Sequence, residues 1–123
     1  MITKEVTICG KKAKVAYCYA TEIAYRTLSD EDINDFMAEA SNDVASQKMP
    51  DIKKSIYLII AAMVAYYDHP DKCPVQDAEL MKEATPADMG TALGTIIACR
   101  AEFYHVPAGE PEDKQKEGEE KNV

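Results

Sequence analysis

Tryptophan is absent from this sequence of 123 residues, phenylalanine occurs only twice, and seven tyrosines supply the other aromatic side chains. Basic residues are also few: 14 Lys and Arg stand against 22 Asp and Glu, which gives a formal net charge of -8. Because a negative surface repels phosphate groups, this balance disfavours nucleic acids and anionic membranes as partners. The N-terminal residues lack the apolar run of a secretory signal, so we expect a cytoplasmic protein.

The sequence also lacks the usual patterns of catalytic and metal-binding residues. None of the four cysteines forms a C-x-x-C motif, and we expect all four to stay reduced in the cytoplasm. His69 with Cys73, and Cys99 with His105, match no standard zinc spacing. A Cys-His nucleophile would need an orienting partner, and none can be named. We therefore predict no enzymatic activity, no metal, no cofactor and no small-molecule substrate.

The most apolar stretch runs from Ser55 to Tyr67 and reads SIYLIIAAMVAYY. It is shorter than the roughly 20 residues that a membrane-spanning helix needs, and its length is typical of a buried core helix. Apolar residues occur on all of its faces, so the rest of the fold must cover it on most sides. We expect two amphipathic helices, beginning at Ser29 and Thr85, to provide this cover.

The N-terminal residues show the alternation of a half-buried β-hairpin. Val6 and Ile8 precede Gly10, and Val15, Tyr17 and Tyr19 follow it at every second position. A glycine between two such runs supplies the positive φ of a tight turn. The first helix is predicted to have Thr21 as its N-cap.

Two further features concern the segment after residue 76. A short helix is predicted over 77–84, and Thr85-Pro86-Ala87-Asp88 has the capping threonine, N1 proline and early acid of a helix start. Gly90 and Gly94, four residues apart in this last helix, are interpreted as a site of close helix packing. The two helices outline a helix-turn-helix, but the second begins without side chains suited to reading bases, so packing without DNA is favoured.

These elements predict an α+β fold, in which an N-terminal β-hairpin precedes a small bundle of about four to five helices. We expect one folded domain over residues 1–106. Residues 107–123 contain almost no apolar side chain and are rich in Glu, Lys, Gly and Pro, so we expect a disordered acidic tail there.

The tyrosines suggest where a partner binds. Tyr17, Tyr19, Tyr66 and Tyr67 fall near the ends of the predicted elements. Tyrosine suits interfaces because its ring can pack while its hydroxyl stays hydrated. The four are therefore predicted partner-binding residues. The alternative, that they border an ordinary core, remains open.

The order of the parts resembles a known family. A short hairpin leads into the aromatic-rich segment YCYATEIAYRTLSDEDI, a helical body follows, and the chain ends in an acidic segment. This resembles the tail assembly chaperones of long-tailed bacteriophages and of prophages of gut bacteria. The resemblance covers most of residues 4–106 and lies in length, element order and character, without a signature motif.

The resemblance implies a non-enzymatic protein of the bacterial cytoplasm. Such a protein associates with itself and coats the long, apolar tape-measure protein until tail tube subunits polymerise around it. An apolar helical client would need a groove for its apolar stripe. The alternative is another small structural or adaptor protein of a phage or mobile element, such as a head–tail component, that uses the same surfaces permanently.

Overall fold

A computed structural model describes residues 1–105 of the chain. The hairpin consists of β1 (Ile2–Ile8) and β2 (Lys11–Tyr17), and a 3-10 turn (Pro70–Lys72) lies between two of the helices that follow. The helices are α1 (Tyr19–Ser29), α2 (Ile33–Ala45), α3 (Ile52–Tyr67), α4 (Asp77–Glu83) and α5 (Pro86–Phe103). The predicted α+β fold is confirmed. The proposed domain end at residue 106 and the tail 107–123 lie outside the described residues.

The hairpin closes through a two-residue turn at Cys9 and Gly10. Their φ angles are 55° and 76°, as a type I′ turn requires, and Ile8 pairs with Lys11 across the turn. The turn is held against the helices, because the Cys9 amide donates to Asp88 Oδ2 of α5 at 3.3 Å. Lys11 Nζ also lies 3.0 Å from Glu79 Oε2 of α4. These contacts fix the position of the N-terminal end of α5.

The apolar helix α3 forms the centre of the core. Leu58, Ile59, Ala61 and Met63 are buried, and α3 contacts β2, α1 and α5. As expected, the rest of the fold covers α3 on most sides.

The prediction that the helices beginning at Ser29 and Thr85 would provide this cover was partly wrong. The helix α1 packs along α3 far more extensively than α2 does, although α2 contributes Phe36, Met37 and Ala40 to the same core.

Two predicted helix starts were also wrong. The first helix begins at Tyr19, and Thr21 lies inside it, with its buried hydroxyl donating to the carbonyl of Ala16 at 2.8 Å. Ser29 ends this helix, and α2 starts at Ile33 with Asp32 as its N-cap. In both places a hydroxyl that could have capped a helix bonds to a nearby backbone carbonyl.

The start of α5 is as predicted. Thr85 is its N-cap, Pro86 occupies the first turn, and Asp88 completes a capping box. The Asp88 carboxylate accepts bonds from the backbone amides of Thr85 and Cys9, and these bonds keep the pKa of Asp88 below its usual value. Within residues 1–105, no helix is long and apolar enough to cross a membrane.

Candidate binding groove

An apolar groove of about 480 Å³ lies between α2 and α5. One wall is the α2 series Phe36, Ala40 and Val44, whose spacing of four places them on one face of the helix. Leu58 of α3 forms part of the base. The remaining lining comes from the loop that joins α2 to α3 and from α5 (Gln47, Lys48, Met49, Pro50, Gly90, Leu93, Gly94 and Ile97). Gln47 and Lys48 are the polar side chains in this lining, so the groove suits apolar groups.

The groove is uncovered within the described part of the chain. Val44 is 63% exposed, Met49 is 49% exposed and Ile97 is 42% exposed. Folded proteins seldom leave a cluster of large apolar side chains in water unless it has a binding role. The three residues stand on different elements around one groove, and this arrangement distinguishes them from the single exposed apolar residues found on most surfaces.

The two glycines of α5 are exposed and have no close neighbours. A methyl group placed on Gly90 or Gly94 would meet no atom within 4 Å, apart from the backbone of its own helix turn. The interpretation of this pair as a close helix contact is therefore wrong for the described chain. The two glycines make no close helix contact because α2 lies away from α5 and leaves the groove between them. The bare backbone at the two glycines is available to a group from outside the chain.

The glycines belong to a longer uncharged stripe on α5. Gly90, Gly94, Ile97, Ala101 and Tyr104 follow one another at intervals of four or three, so they lie on one side of the helix and its C-cap. Ala101 is half-buried, and the other four are exposed. The stripe covers fifteen residues from Gly90 to Tyr104, and the fourteen helical rises between them make it about 21 Å long. No charged residue occurs between Asp88 and Arg100 in a chain that is 29% charged.

Polar contacts fix the C-terminal end of the stripe. The guanidinium Nη2 of Arg100 donates to Asn34 Oδ1 of α2 at 2.6 Å and so ties the two walls together. The hydroxyls of Tyr104 and Tyr17 both donate to Glu22 of α1. Burial and the neighbouring Glu22 carboxylate raise the pKa of Tyr104 to about 12. Both hydroxyls are therefore neutral hydrogen-bond donors at physiological pH.

The four predicted partner-binding tyrosines lie in two separate places. Tyr17 is 0% exposed and cannot touch a partner in this structure, because its ring packs in the core. Tyr19 is 64% exposed and packs edge-on against Phe103 near the end of the α5 stripe. Tyr66 and Tyr67 form an edge-to-face pair at the end of α3. The Tyr67 hydroxyl accepts a bond from the Lys14 amide of β2 at 3.0 Å.

The structure places the histidines and cysteines apart from the groove. The thiol of Cys73 points to the backbone carbonyl of His69 at 3.6 Å, and Cys99 is buried in the core. Burial raises the pKa of both thiols, which disfavours the reactive thiolate. Within residues 1–105, no three His, Cys, Asp or Glu side chains are grouped closely enough to hold a metal ion.

The sequence contained one signal for the groove that helical periodicity alone did not reveal. The eleven residues from Met89 to Cys99 are all uncharged, although a small core can cover only one face of a helix and leaves the other faces in solvent. Five of them are buried or nearly so, and Gly90, Gly94 and Ile97 are not. An uncharged helix with two exposed glycines is thus better evidence of a binding face than the tyrosine count.

Comparisons with protein-family models, with curated protein sequences and with solved structures found no match.

Proposed function

We propose that this protein is a non-enzymatic assembly chaperone of a long-tailed phage or prophage, and that its α2–α5 groove holds an apolar helical segment of a tape-measure-like client. The phage assignment comes from the resemblance in element order and acidic composition. The binding mechanism is supported by the groove, which is the observation that carries the proposal. The proposal holds the client by non-covalent contacts alone, so polymerising tube subunits can compete for it.

A helix fits this groove better than a small molecule does. The volume of about 480 Å³ falls in the range of pockets for drug-sized ligands. Such pockets, however, also place a few polar groups to orient the ligand. Here the two polar lining residues, Gln47 and Lys48, are exposed. The uncharged stripe also continues beyond the groove to Tyr104, and a length of about 21 Å corresponds to some four turns of helix.

The groove also suits the side chains of an amphipathic helix. Helix-in-groove recognition uses apolar anchors at positions i, i+3, i+4 and i+7. The bare backbone at Gly90 and Gly94 permits a close approach, and the Phe36, Ala40 and Val44 face supplies the opposite wall. The exposed Met49 can adapt its unbranched side chain to different anchors, as a client of varied sequence requires.

The binding step can be tested with a synthetic probe. The full-length protein is titrated into a fluorescent amphipathic helix of about 20 residues, with leucines on one face and lysine and glutamate on the other. We expect saturable binding that Ile97→Glu weakens at least about tenfold, because a carboxylate would be buried against apolar groups. Ala38→Glu is the matched control, since Ala38 lies on the exposed face of α2 away from the groove. Equal binding by both variants would overturn the groove as the client site.

The biological assignment needs a second experiment. The protein is co-expressed with the longest predicted helical protein encoded beside it, and the soluble yield of that protein is measured. We expect the yield to rise with the wild type and with Ala38→Glu, but not with Ile97→Glu. Completed tails should lack the protein. If the protein instead remains in finished particles, the structural or adaptor alternative is correct.

A further inference from the structure

We propose that, when no client is bound, the groove is occupied by a second copy of this chain, with the two α5 helices antiparallel about a two-fold axis at Ile97. The occupant is thus the α5 stripe itself, defined above by Gly90, Gly94, Ile97, Ala101 and Tyr104. The resulting dimer would hide the client groove of both copies. The competition between dimer and client rests on the proposed function, whereas the dimer does not.

The arrangement of small and large residues along the stripe makes it complementary to a second copy of itself. A two-fold interface brings the same patch of both copies together, so it must contain both projections and the hollows that receive them. With Ile97 on the axis, Gly90 of one copy faces Tyr104 of the other. Gly94 similarly comes opposite the region of Arg100 and Ala101. The two glycines of the stripe thus face its tyrosine and the turn that carries Arg100 and Ala101.

The space beside the two glycines is open in the single chain. No atom lies within 4 Å of a methyl group placed on Gly90 or Gly94, apart from the helix backbone itself. At the other end, Tyr104 is 40% exposed, and its ring is held in place by the hydrogen bond to Glu22 and by the Arg100 guanidinium, 5.5 Å from the ring centroid. A fixed aromatic side chain loses little conformational entropy when it binds.

The distribution of charge also favours α5 as the contact between two copies. The chain carries a net charge of -8, so two copies repel each other over most of their surfaces. The central part of the α5 stripe, between Asp88 and Arg100, has no charge, and contact about Ile97 avoids burying a carboxylate. In the antiparallel arrangement the positive N-terminal end of each helix dipole also lies beside the negative C-terminal end of the other. Charge therefore favours this face for self-contact.

The oligomeric state tests the dimer directly. Sedimentation velocity of the full chain over a concentration series should approach about 27 kDa, twice the chain mass of 13.6 kDa. Ile97→Glu should remain monomeric, since the two-fold axis would bring the new carboxylates together, and Ala38→Glu should dimerise like the wild type. A monomer at every concentration, growth beyond a dimer, or an unaffected Ile97→Glu dimer would each overturn the proposal.

The register can be tested by cross-linking. In a variant with Cys9 and Cys18 changed to serine, Ile97→Cys should form a disulfide with its own counterpart under mild oxidation, because residues on a two-fold axis meet themselves. Val44→Cys is the matched control, since Val44 lies on the other wall of the groove, and it should cross-link much more slowly. Equal rates for the two positions would contradict the register. Circular dichroism on each variant establishes that the helices are retained.

The competition is measured with the synthetic helix described above. If the proposal is correct, adding the helix converts the wild-type dimer into a complex of one chain with one helix. A complex of two chains with two helices would overturn the competition and leave the dimer intact. Binding of the helix to a protein that is monomeric throughout would overturn the dimer and support the client groove, so the two failures are distinguishable.

Discussion

The two longest helices of this protein contain similar uncharged runs, but the fold treats them differently. From Ser55 to Tyr67, α3 has no charged residue, and its side chains are mostly buried by α1, β2 and α5. From Met89 to Cys99, α5 has none either, yet one whole side of it faces solvent. An uncharged helix face needs to be covered. The rest of the chain covers α3, but no part of the described chain covers the exposed side of α5.

The largest expected difference is in the free energy of unfolding that is lost when an isoleucine of α3 or of α5 is replaced by alanine. Ile59 of α3 is 0% exposed, and Ile59→Ala should lower the free energy of unfolding by about 2–5 kcal/mol through lost burial and a cavity. Ile97→Ala should change it by less than about 1 kcal/mol, because Ile97 is 42% exposed and alanine favours the helix. Urea unfolding measured by circular dichroism provides both values. A loss above 2 kcal/mol for Ile97→Ala at a concentration where the protein is monomeric would show that the chain itself covers this face.

Two glycine-to-alanine substitutions should change the stability of the protein in opposite directions. Gly94→Ala should stabilise the protein by up to about 1 kcal/mol, since alanine is the better helix former and no neighbour is in the way. Gly10→Ala should destabilise it by about 1 kcal/mol or more, because Gly10 has a φ of 76° in the hairpin turn.

The same pair separates folding from binding. If the bare backbone of α5 is used by a partner, Gly94→Ala should weaken binding of the synthetic helix while it raises the melting temperature. Gly10→Ala should leave binding unchanged at temperatures where it is folded. A Gly94→Ala variant that is destabilised as a monomer would indicate that α5 packs closely against another part of the chain.

A smaller effect is expected from acid. The pKa of Asp88 is lowered in the folded state by the backbone amide of Thr85, and a group of this kind stabilises the fold above its unfolded pKa of 3.8. This contribution should be lost as the pH falls through the lower folded pKa. Asp88→Asn should therefore reduce the difference in melting temperature between pH 6 and pH 3. An unchanged difference would show that the link between the hairpin turn and α5 does not depend on the carboxylate charge.

Local patterns in the sequence predicted the hairpin, the order of the helices and the start of α5, but not the groove. The glycine-centred alternation and the Thr85 capping box identified the hairpin and α5, because each depends on a few neighbouring residues. The starts of α1 and α2 were missed, since the hydroxyls of Thr21 and Ser29 bond back to the carbonyls of Ala16 and Tyr25, and a residue pattern does not separate this bond from an N-cap. The groove depends on the distance between α2 and α5, which no local pattern determines. The same limit applies to Tyr17, whose burial results from packing against α5 and α1.

We propose that this protein binds an apolar partner between the uncovered side of α5 and the facing side of α2. Methyl NMR of the full-length protein titrated with the synthetic helix measures this at individual residues. We expect the resonances of Val44, Met49 and Ile97 to shift on titration, while those of Ile56 and Ile59 in α3 stay in place. Shifts confined to residues near Tyr66, or no shift at any methyl group, would contradict the claim.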